Sequence, residues 1–403
     1  MKKIFIILII FFININVVNA LEINSSNYIV FNLDNNQIVF YNNPDEIVKV
    51  ASLTKIMTTL VAIEQINNLE ERVTITYEMI AGFREANASM AGLKVGDVVT
   101  FRDLLYGTFL ASGAETSRGL AILLAGSENA FVEKMNDKAK EIGLTNTSYR
   151  NTTGLDAEGH VSTVREVAYL LKYALGNPVF KEIFLADSFI LTNGLVVQST
   201  MRRDAVRINH DISFILGGRT GFTFGAGRCL ASIGYDEVNG IHYLVVNVGA
   251  PIYFARAYHL RDSYTIYQYL FNNFKNHRIF SKGDLILSID IKHSSERYRN
   301  FYFNKDIIHF DHLDFSKDNI RIKFNGYELL TPSLSIGDVV GTVSIFYNDE
   351  LLEDFDIILE EEIKFSLIHY FYDNKIISLF GLGTILMLII ICVKQKKKRR
   401  IKI

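Results

Sequence analysis

Residues 376–393 form an uncharged, apolar run that ends directly before the basic tail KQKKKRRIKI. A helix of this length would be roughly 27 Å long, close to the thickness of the hydrocarbon core of a bilayer. Segments rich in Lys and Arg beside such a run stay on the cytoplasmic side. The sequence therefore predicts a transmembrane anchor at 376–393 and a cytoplasmic tail at 394–403, with a buried core helix as the alternative for the run.

The N-terminus has the composition of a secretory signal peptide. Lys2 and Lys3 precede an apolar stretch from Ile4 to Ile13, and the segment closes with Val18-Asn19-Ala20. This order is typical of a signal that is removed, here after Ala20, and an uncleaved anchor is the alternative. Together with the C-terminal run, the signal peptide at 1–20 predicts a single-pass protein of the cell membrane whose body lies on the extracytoplasmic face.

The remaining charges and cysteines exclude several kinds of site. Nine of the 42 Lys and Arg residues lie in the two terminal segments, whereas all 44 Asp and Glu residues lie in the body. An acidic body is not typical of a nucleic-acid binder, so no nucleic-acid partner is predicted. Cys229 stands apart from Cys392, which lies in the apolar run, so a disulfide framework is excluded. No zinc-ligand spacing occurs, and the sequence predicts neither a metal nor a cofactor.

The body divides into two regions by the texture of its sequence. Mixed strand-like and helix-like stretches predict an α/β domain over 21–278. Short β-type runs separated by turn residues start near residue 284 and predict a small all-β domain over 279–368. The elements predicted for the first region are a hairpin over 27–41, a helix from Ile56, a strand over 72–79, mainly helices over 102–150, a helix over 161–176, strands with glycine-rich turns over 195–250 and a helix over 256–276.

The stretch SLTK places Ser52 and Lys55 three residues apart where a helix begins. Residues at this spacing share one helix face, so a lysine with a pKa lowered by burial could take the proton of the serine. The flanks VKVA and IMTTLVAIEQI are mostly apolar, which indicates partial burial of Lys55. The alternative is that Ser52 is only a helix cap, because serine is common at that position. Other motifs must decide.

Acyl transfer by this route needs two further elements, and the chain contains both. A second polar group must pass a proton to the leaving amine, and LASGAET supplies Ser112 in a turn between predicted helices. A cation with an adjacent hydroxyl and glycine must hold the carboxylate of the substrate, and GGRTGFT supplies Arg219, Thr220 and Gly221.

These three motifs resemble, in their order, the S-x-x-K, S-x-N and K-T-G motifs of penicillin-binding proteins and serine β-lactamases. The stretches LKVGDVVTFRDLLYGTFLASGAE and MNDKAKEIGLTNTSYRNTTGLDAEGHVSTVREVAYL are similar to the low-molecular-weight penicillin-binding proteins, the serine-type D-alanyl-D-alanine carboxypeptidases. The resemblance covers about residues 27–275. It implies a serine β-lactamase/transpeptidase-like α/β domain, followed here by the small all-β domain and the C-terminal transmembrane helix.

The resemblance implies a catalytic role for three residues. Ser52 would attack the carbonyl of the penultimate D-Ala of a peptidoglycan stem peptide, Lys55 would be its general base, and Ser112 would help to protonate the leaving D-Ala. The terminal D-Ala would leave an acyl-enzyme on Ser52, which water would hydrolyse. β-Lactam antibiotics would acylate the same serine.

The resemblance also implies a binding role for the strand with the RTG motif. Arg219 and Thr220 would bind the terminal carboxylate of the substrate, and Gly221 would leave room beside it. The backbone N–H groups of Ser52 and Phe222 would form the oxyanion hole.

Two positions depart from the family pattern. Ala114 stands where S-x-N has its asparagine, so neither Lys55 nor the substrate would receive that amide, and Glu115 is the neighbour that could partly replace it. Arg219 replaces the lysine of K-T-G and keeps the charge. The leading hypothesis is a carboxypeptidase; a penicillin- or wall-peptide-binding pseudo-enzyme, a DD-endopeptidase and a β-lactamase are the alternatives. His160 and Cys229 are expected to be structural.

Overall fold

The structure is a computed structural model that describes residues 21–253 and 256–400. The predicted signal peptide at 1–20 and the last residues of the predicted tail lie outside the described residues. The chain divides into two compact units, Met1–Asn273 and Phe274–Ile403. The predicted boundary at 278/279 falls inside a strand, Phe274–Phe280, that belongs to the second unit. The predicted last helix ends earlier than expected, at Asn273, and the β region starts there.

The first unit is built on a five-stranded antiparallel sheet with the strand order β2-β1-β9-β8-β7. Its strands are β1 (Asn27–Asn32), β2 (Gln37–Asn42), β7 (Ile215–Thr223), β8 (Gly227–Asp236) and β9 (Ile241–Ala250). Short two-stranded pairs accompany this sheet: β3 (Arg72–Thr74) with β4 (Val98–Thr100), and β5 (Ser188–Ile190) with β6 (Val196–Gln198).

The described residues of this unit also form nine α-helices. They are α1 (Lys55–Gln65), α2 (Tyr77–Ile80), α3 (Phe101–Phe109), α4 (Ala114–Ala125), α5 (Glu128–Glu141), α6 (Val164–Ala174), α7 (Pro178–Leu185), α8 (Thr200–Ile208) and α9 (Tyr258–Asn273). Helix α9 packs on β8 and β9, while α6 packs on β9 and β1. Side chains alternate between the two faces of a strand, so Val245 and Val246 of β9 supply apolar surface to both layers.

Most sequence predictions for this unit are confirmed, and two are wrong. The hairpin, the helix after Ser52, the helical stretch over 102–150 and the strands around the RTG motif are all present. The predicted strand over 72–79 stops at Thr74, and α2 follows, because Thr76 caps a helix there. Helix α8 lies in the stretch that was predicted to contain only strands and turns.

The second unit contains three small sheets around an apolar core. The sheets pair β10 (Phe274–Phe280) with β13 (Ile307–His312), place β11 (Leu285–Ile291) between β12 (Tyr298–Tyr302) and β15 (Leu329–Leu330), and place β16 (Val339–Tyr347) between β14 (Ile320–Gly326) and β17 (Glu350–Ile358). Side chains such as Ile289, Leu330, Val343 and Leu359 form the core. The predicted β character of this region is confirmed by these strands.

Two helices follow the β strands, α10 (Leu367–Asp373) and α11 (Lys375–Arg400). Helix α11 contains the apolar run 376–393 and extends beyond it into the basic tail. Among the residues that the structure describes, no helix has both the length and the apolar character required to cross a membrane. The predicted anchor is therefore not confirmed.

Candidate active site

Ser52 lies in a 3-10 turn, Ala51–Thr54, that leads directly into α1. Its side chain caps neither element, because Val50 and Thr54 occupy the two cap positions and neither cap is closed by a side chain. Ala51 has a φ of 45°, a left-handed conformation that is strained for a residue with a side chain. The structure thus rejects the helix-cap alternative for Ser52.

Two glycines allow other segments to approach the backbone of Ser52. A Cβ atom on Gly154, whose φ is +82°, would lie 1.9 Å from the carbonyl oxygen of Ala51. A Cβ atom on Gly221 of β7 would lie 3.1 Å from the backbone nitrogen of Ser52. Only glycine allows the first approach, and the second leaves little space for a side chain. Both segments are therefore pressed against the 3-10 turn.

The hydroxyl of Ser52 lies between two potential partners for proton transfer. Lys55 Nζ donates to Ser52 Oγ at 3.2 Å, and Ser112 Oγ donates to the same oxygen at 3.1 Å. The carbonyl oxygen of Thr153 lies 3.5 Å from Ser52 Oγ. A serine with a lysine and a second hydroxyl in direct contact has the arrangement required for nucleophilic catalysis.

Lys55 is only 2% exposed, and its Nζ also donates to the carbonyl oxygen of Thr153 at 2.5 Å. Burial lowers the pKa of Lys55 well below its usual value, and the nearby charge of Arg219 lowers it further. Glu115 and Glu128 act weakly in the opposite direction on this pKa. A lysine in this environment gives up its proton near neutral pH more easily than an exposed lysine and can accept the Ser52 proton.

Ser112 lies between α3 and α4 and has a φ of 63°, again in the left-handed region. In this conformation the hydroxyl of Ser112 donates to Ser52 Oγ, and Ser112 Oγ accepts a hydrogen bond from Arg219 Nη2 at 2.6 Å. A donor bound to a cation on its other side is polarised for proton transfer. The predicted proximity of Ser52, Lys55 and Ser112 is therefore observed.

Arg219 occupies a different place from the one expected of a substrate-binding residue. Its side chain is fully buried, and it donates to the carbonyl oxygens of Ser52 and Phe109 at 3.0 and 2.5 Å besides its bond to Ser112. Burial lowers the pKa of Arg219 to about 9, which still leaves the guanidinium charged at neutral pH. Because the guanidinium is directed into the protein, the predicted direct contact with a carboxylate is corrected to a positioning role. We call Ser52, Lys55, Ser112 and Arg219 the catalytic cluster.

A cavity of about 150 Å³ opens beside Ser52. Its lining includes Ser52, Lys55, Ser112, Thr220, Gly221 and Phe222. All six were predicted as site residues from the sequence. Arg219, the seventh predicted site residue, does not line the cavity. Several further lining residues were missed, among them Thr153, Thr200 and Arg228. The turn signal FGAG joins β7 to β8 and could have predicted a hairpin in which Arg228 pairs with Phe222. That pairing places Arg228 near the RTG motif.

Ala114 lines the same cavity and offers only a methyl group there. Glu115 does not replace the missing asparagine, because its carboxylate is turned away and accepts hydrogen bonds from the backbone of Gly92 and Leu93 at 2.8 and 3.3 Å. Burial raises the pKa of Glu115, against the effect of these backbone donors. A buried carboxylate that does not line the cavity is not placed to activate water for a β-lactamase.

His160 and Cys229 are buried near the site but do not line the cavity, in agreement with the expected structural roles. His160 Nδ1 accepts from the backbone of Arg150 at 3.1 Å, so the ring carries its proton on Nε2, 2.8 Å from Thr54 Oγ1. Burial lowers the pKa of His160 to about 4. Burial raises the pKa of the Cys229 thiol to about 12, which makes it unreactive as a thiolate.

Comparisons with known proteins agree with this geometry. The peptidase S11 family model, described as D-alanyl-D-alanine carboxypeptidase, matches residues 14–250. The chain is 24% identical over 335 residues to the D-alanyl-D-alanine carboxypeptidase DacF of Bacillus subtilis, covering 82% of this chain and 84% of the relative. It is 28% identical over 242 residues to a D-alanyl-D-alanine endopeptidase of Pseudomonas aeruginosa, covering 60% and 77%.

The fold is also found in solved structures. Penicillin binding protein 5 from Haemophilus influenzae superposes with a TM-score of 0.62 at 22% identity, covering 85% of this chain and 98% of that structure. At this identity the likeness establishes the fold alone. The superposition covers 85% of the chain, whereas the family match ends at residue 250.

Proposed function

Because this chain belongs to the D-alanyl-D-alanine carboxypeptidase family of serine peptidases, we propose that it removes the terminal D-alanine from peptidoglycan stem peptides. One observation carries the proposal: Ser52 Oγ lies 3.2 Å from Lys55 Nζ and 3.1 Å from Ser112 Oγ at the wall of a cavity. A peptide whose penultimate carbonyl enters this cavity would meet the nucleophile and both proton carriers together.

The acylation step transfers one proton and breaks one peptide bond. Ser52 Oγ bonds to the carbonyl carbon of the penultimate D-Ala while its proton passes to neutral Lys55. The backbone N–H groups of Ser52 and Phe222 stabilise the negative oxygen of the tetrahedral intermediate. When the carbon–nitrogen bond breaks, Ser112, which lies 3.1 Å from Ser52 Oγ, donates its proton to the leaving amine. The proton held by Lys55 then restores the hydroxyl of Ser112, so that Lys55 is neutral again. Water then hydrolyses the ester, with Lys55 as the base.

The experiment measures two products of the same serine. The purified full-length protein is incubated with diacetyl-Lys-D-Ala-D-Ala, and free D-Ala is quantified; a second sample is treated with benzylpenicillin and weighed by intact-mass spectrometry. We expect D-Ala release and one penicilloyl adduct that maps to Ser52. The same peptide ending in L-Ala is the matched control and should yield no alanine. Absence of both D-Ala and adduct would contradict the proposal.

A penicillin- or wall-peptide-binding pseudo-enzyme is the second candidate, and Ala114 is the observation that favours it. The cavity receives no side-chain amide from this position, so the substrate amide loses one partner. An adduct on Ser52 without D-Ala release would favour this candidate. In that case Ala114→Asn should create activity, whereas an already active protein whose rate changes little on this substitution excludes it.

An endopeptidase would use the same catalytic cluster on a cross-link rather than on a free terminus. Incubation of purified sacculi with the protein distinguishes the two activities, because an endopeptidase lowers the fraction of cross-linked dimers. A carboxypeptidase instead converts pentapeptides to tetrapeptides and leaves the dimers intact. We expect the second result for this protein.

We also propose that the protein is exported and attached to the cell membrane by its C-terminal end. The signal-like sequence over 1–20 supports export, and the exposed apolar side chains of α11, including Phe380, Leu382 and Met387, support attachment. Fractionation of cells that express the full chain, and of cells that express a chain ending at residue 374, tests this. Recovery of both forms in the same fraction would contradict attachment by this helix.

A further inference from the structure

The amine of Lys55 has one contact that lies outside the three motifs, the carbonyl oxygen of Thr153. This oxygen accepts from Lys55 Nζ at 2.5 Å and lies 3.5 Å from Ser52 Oγ. The residue before it, Thr152, is fully buried, and its carbonyl oxygen accepts from Thr58 Oγ1 of α1 at 2.8 Å. Two successive carbonyl groups thus accept hydrogen bonds from α1, and the position of the amine depends on where this segment is held.

Glu128, the first residue of α5, binds the same segment through its carboxylate. Glu128 Oε1 accepts from the backbone nitrogen of Thr152 at 3.0 Å and from Thr152 Oγ1 at 2.7 Å. Bonds of this kind, from neutral donors to an ionised oxygen, are stronger than bonds between neutral groups. The helix dipole also favours an acidic residue in the first turn, but it does not require a partner 24 residues away. The carboxylate therefore fixes both the backbone and the side chain of Thr152.

Arg118 of α4 binds the second oxygen of this carboxylate. Arg118 Nε donates to Glu128 Oε2 at 3.0 Å, and Arg118 Nη1 donates to the carbonyl oxygen of Ala81 at 2.7 Å. The guanidinium lies 3.7 Å from the centre of the Phe83 ring, a cation–π contact. The side chains of Arg118 and Glu128 are only 23% and 21% exposed, so solvent ions screen this pair less than a pair at the open surface. The carboxylate is therefore held in one place from both of its oxygens.

The ion pair of Arg118 and Glu128 connects two chain segments that line the cavity, although neither residue lines it itself. One segment follows Ala81 and contributes residues 87–89 to the lining. The other segment follows Thr152 and contributes residues 153–155. A loss of this pair would therefore loosen the lining at two places, one of which is the partner of the Lys55 amine.

The charge of Glu128 also acts on the base. Burial is the main cause that lowers the pKa of Lys55, and the charge of Arg219 lowers it further, whereas Glu115 and Glu128 raise it. His160 is close enough to Lys55 to be affected by its charge, but with a pKa of about 4 its ring is neutral near neutral pH. Removal of the Glu128 charge should therefore lower the pKa of Lys55 further.

We propose that Glu128, fixed by Arg118, is a positioning residue that holds the carbonyl oxygen of Thr153 against the amine of Lys55. This inference rests on the proposed function, because it takes Lys55 as the base, and it adds the group that places this base. The carboxylate has two separable effects. Its oxygen places the segment 152–153, and its charge acts on Lys55. A variant that keeps an acceptor oxygen but loses the charge distinguishes them.

The test measures the rate constant of Ser52 acylation by benzylpenicillin over a range of pH, with intact-mass spectrometry of the full chain. Glu128→Gln keeps an oxygen that can accept from Thr152. We expect its plateau rate to stay within about threefold of the parent and its acid limb to move to lower pH, because the lysine loses its proton more easily. Glu128→Ala removes the acceptor as well, and its plateau rate should fall about 10- to 100-fold, since the amine is misplaced.

Two further variants are the controls. Arg118→Met removes the cation but keeps apolar contact with Phe83, so it should lower the plateau less than Glu128→Ala does and should not move the limb to lower pH. Glu64→Gln removes a carboxylate that also joins α1 to α5, through Lys138 Nζ at 3.0 Å. It should leave the plateau within about twofold and the limb in place.

Two results would overturn the positioning role. The first is a plateau rate for Glu128→Ala within about threefold of the parent. The second is an unmoved limb in Glu128→Gln with the plateau and the thermal midpoint lowered alike in both Glu128 variants, which is the result of a purely structural role.

A titration without substrate separates this inference from the proposed function. The full chain is labelled with ¹³C at lysine Cε, and the Lys55 signal is identified by its loss in Lys55→Met. We expect its midpoint to fall in Glu128→Gln and to stay in place in Glu64→Gln. If the unmodified protein is acylated but releases no D-Ala, the carboxypeptidase function fails and the acylation rates still decide the positioning role. If penicillin does not acylate the protein, an unchanged Lys55 midpoint in both Glu128 variants would overturn the positioning role by itself.

Discussion

The positive side chains on the two sides of the cavity have different hydrogen-bond partners. In the catalytic cluster, Lys55 and Arg219 are buried together and donate to carbonyl and hydroxyl oxygens of Thr153, Phe109 and the two serines. On the other side, Arg228 lines the cavity and is bound by the carboxylate of Asp204, whose pKa is lowered by His259, Arg228 and Arg207. Burial, and then the charge of Arg219, lower the pKa of Lys55, which suits a base. Burial also lowers the pKa of Arg228, but the carboxylate of Asp204 opposes this effect. The difference teaches that positive side chains around one cavity can differ in pKa because their buried partners differ: carbonyl and hydroxyl oxygens for Lys55, a carboxylate for Arg228.

The largest expected effect is on the catalytic cluster itself. Ser52→Ala should reduce D-Ala release by more than about 10⁴-fold and abolish the penicilloyl adduct, because the atom that forms the acyl bond is missing. Ser213→Ala, an exposed serine outside the cavity, is the control and should retain full activity. If the Ser52 variant still formed an adduct, the nucleophile would be another residue and the comparison between the two sides would lose its basis.

Replacement of the base should have a similar but smaller effect. Lys55→Met keeps the length of the buried side chain and removes the amine, so we expect a loss of about 10²- to 10⁴-fold in both D-Ala release and penicillin acylation. The thermal midpoint should fall little, because a desolvated amine is exchanged for an apolar group. Retention of the acylation rate in this variant would assign the base to a different group.

Removal of the positioning cation tests whether charge proximity tunes Lys55. Arg219→Gln should raise the pKa of Lys55, since one of the two causes that lower it is lost. The acid limb of kcat/KM then moves to higher pH, and activity at neutral pH falls about 10- to 100-fold. Arg219→Lys keeps the charge and should keep the limb near its original position. A merely structural role would lower stability in both variants without moving the limb.

A substitution at Ala114, which also lines the cavity, should have a smaller effect on activity than the three above. In an active enzyme, Ala114→Asn should alter kcat for D-Ala release by less than about tenfold, because Lys55 and Ser112 already contact Ser52 without that amide. Steady-state kinetics with the diacetyl peptide measure this, and Ala88→Asn, at another alanine that lines the cavity, is a matched control. A gain well beyond tenfold would show that the natural chain is impaired at this position.

The smallest expected effect concerns acid stability, where the two sides again differ. His160, which supports the turn of Ser52 through Thr54, has a pKa of about 4 in the folded chain and a usual value of 6.5. The unfolded chain binds the proton more readily, so the free energy of unfolding falls as the pH drops from 6.5 towards 4, by at most about 3 kcal/mol. Chemical denaturation at several pH values measures this. The free energy of unfolding should change less with pH in His160→Gln than in the parent protein or in the control variant His242→Gln. The lowered pKa of Asp204 keeps the other side paired over this range.

Local patterns in the sequence were sufficient for much of the fold and for part of the site. The spacing of Ser52 and Lys55 and the turn at Ser112 predicted three groups that do meet, because helix periodicity fixes the first pair and the motif order indicates the third. Helix α8 was missed, since its nine residues contain five that are polar or charged and lie beside strand signals. The predicted membrane anchor remains a prediction.

The sequence by itself determined which chemistry this chain can perform: a serine with a lysine one turn away, a second serine, and a strand with an arginine, a threonine and a glycine. Only the tertiary structure decided which arginine faces the cavity. Side-chain direction alternates along a strand, and the pairing of β7 with β8 brings Arg228 onto the face of Thr220, while Arg219 points to the opposite face. The tertiary structure also determines the pKa values of Lys55 and Arg219, because burial is the main cause that lowers both. No local sequence pattern specifies how much water the packing around them excludes.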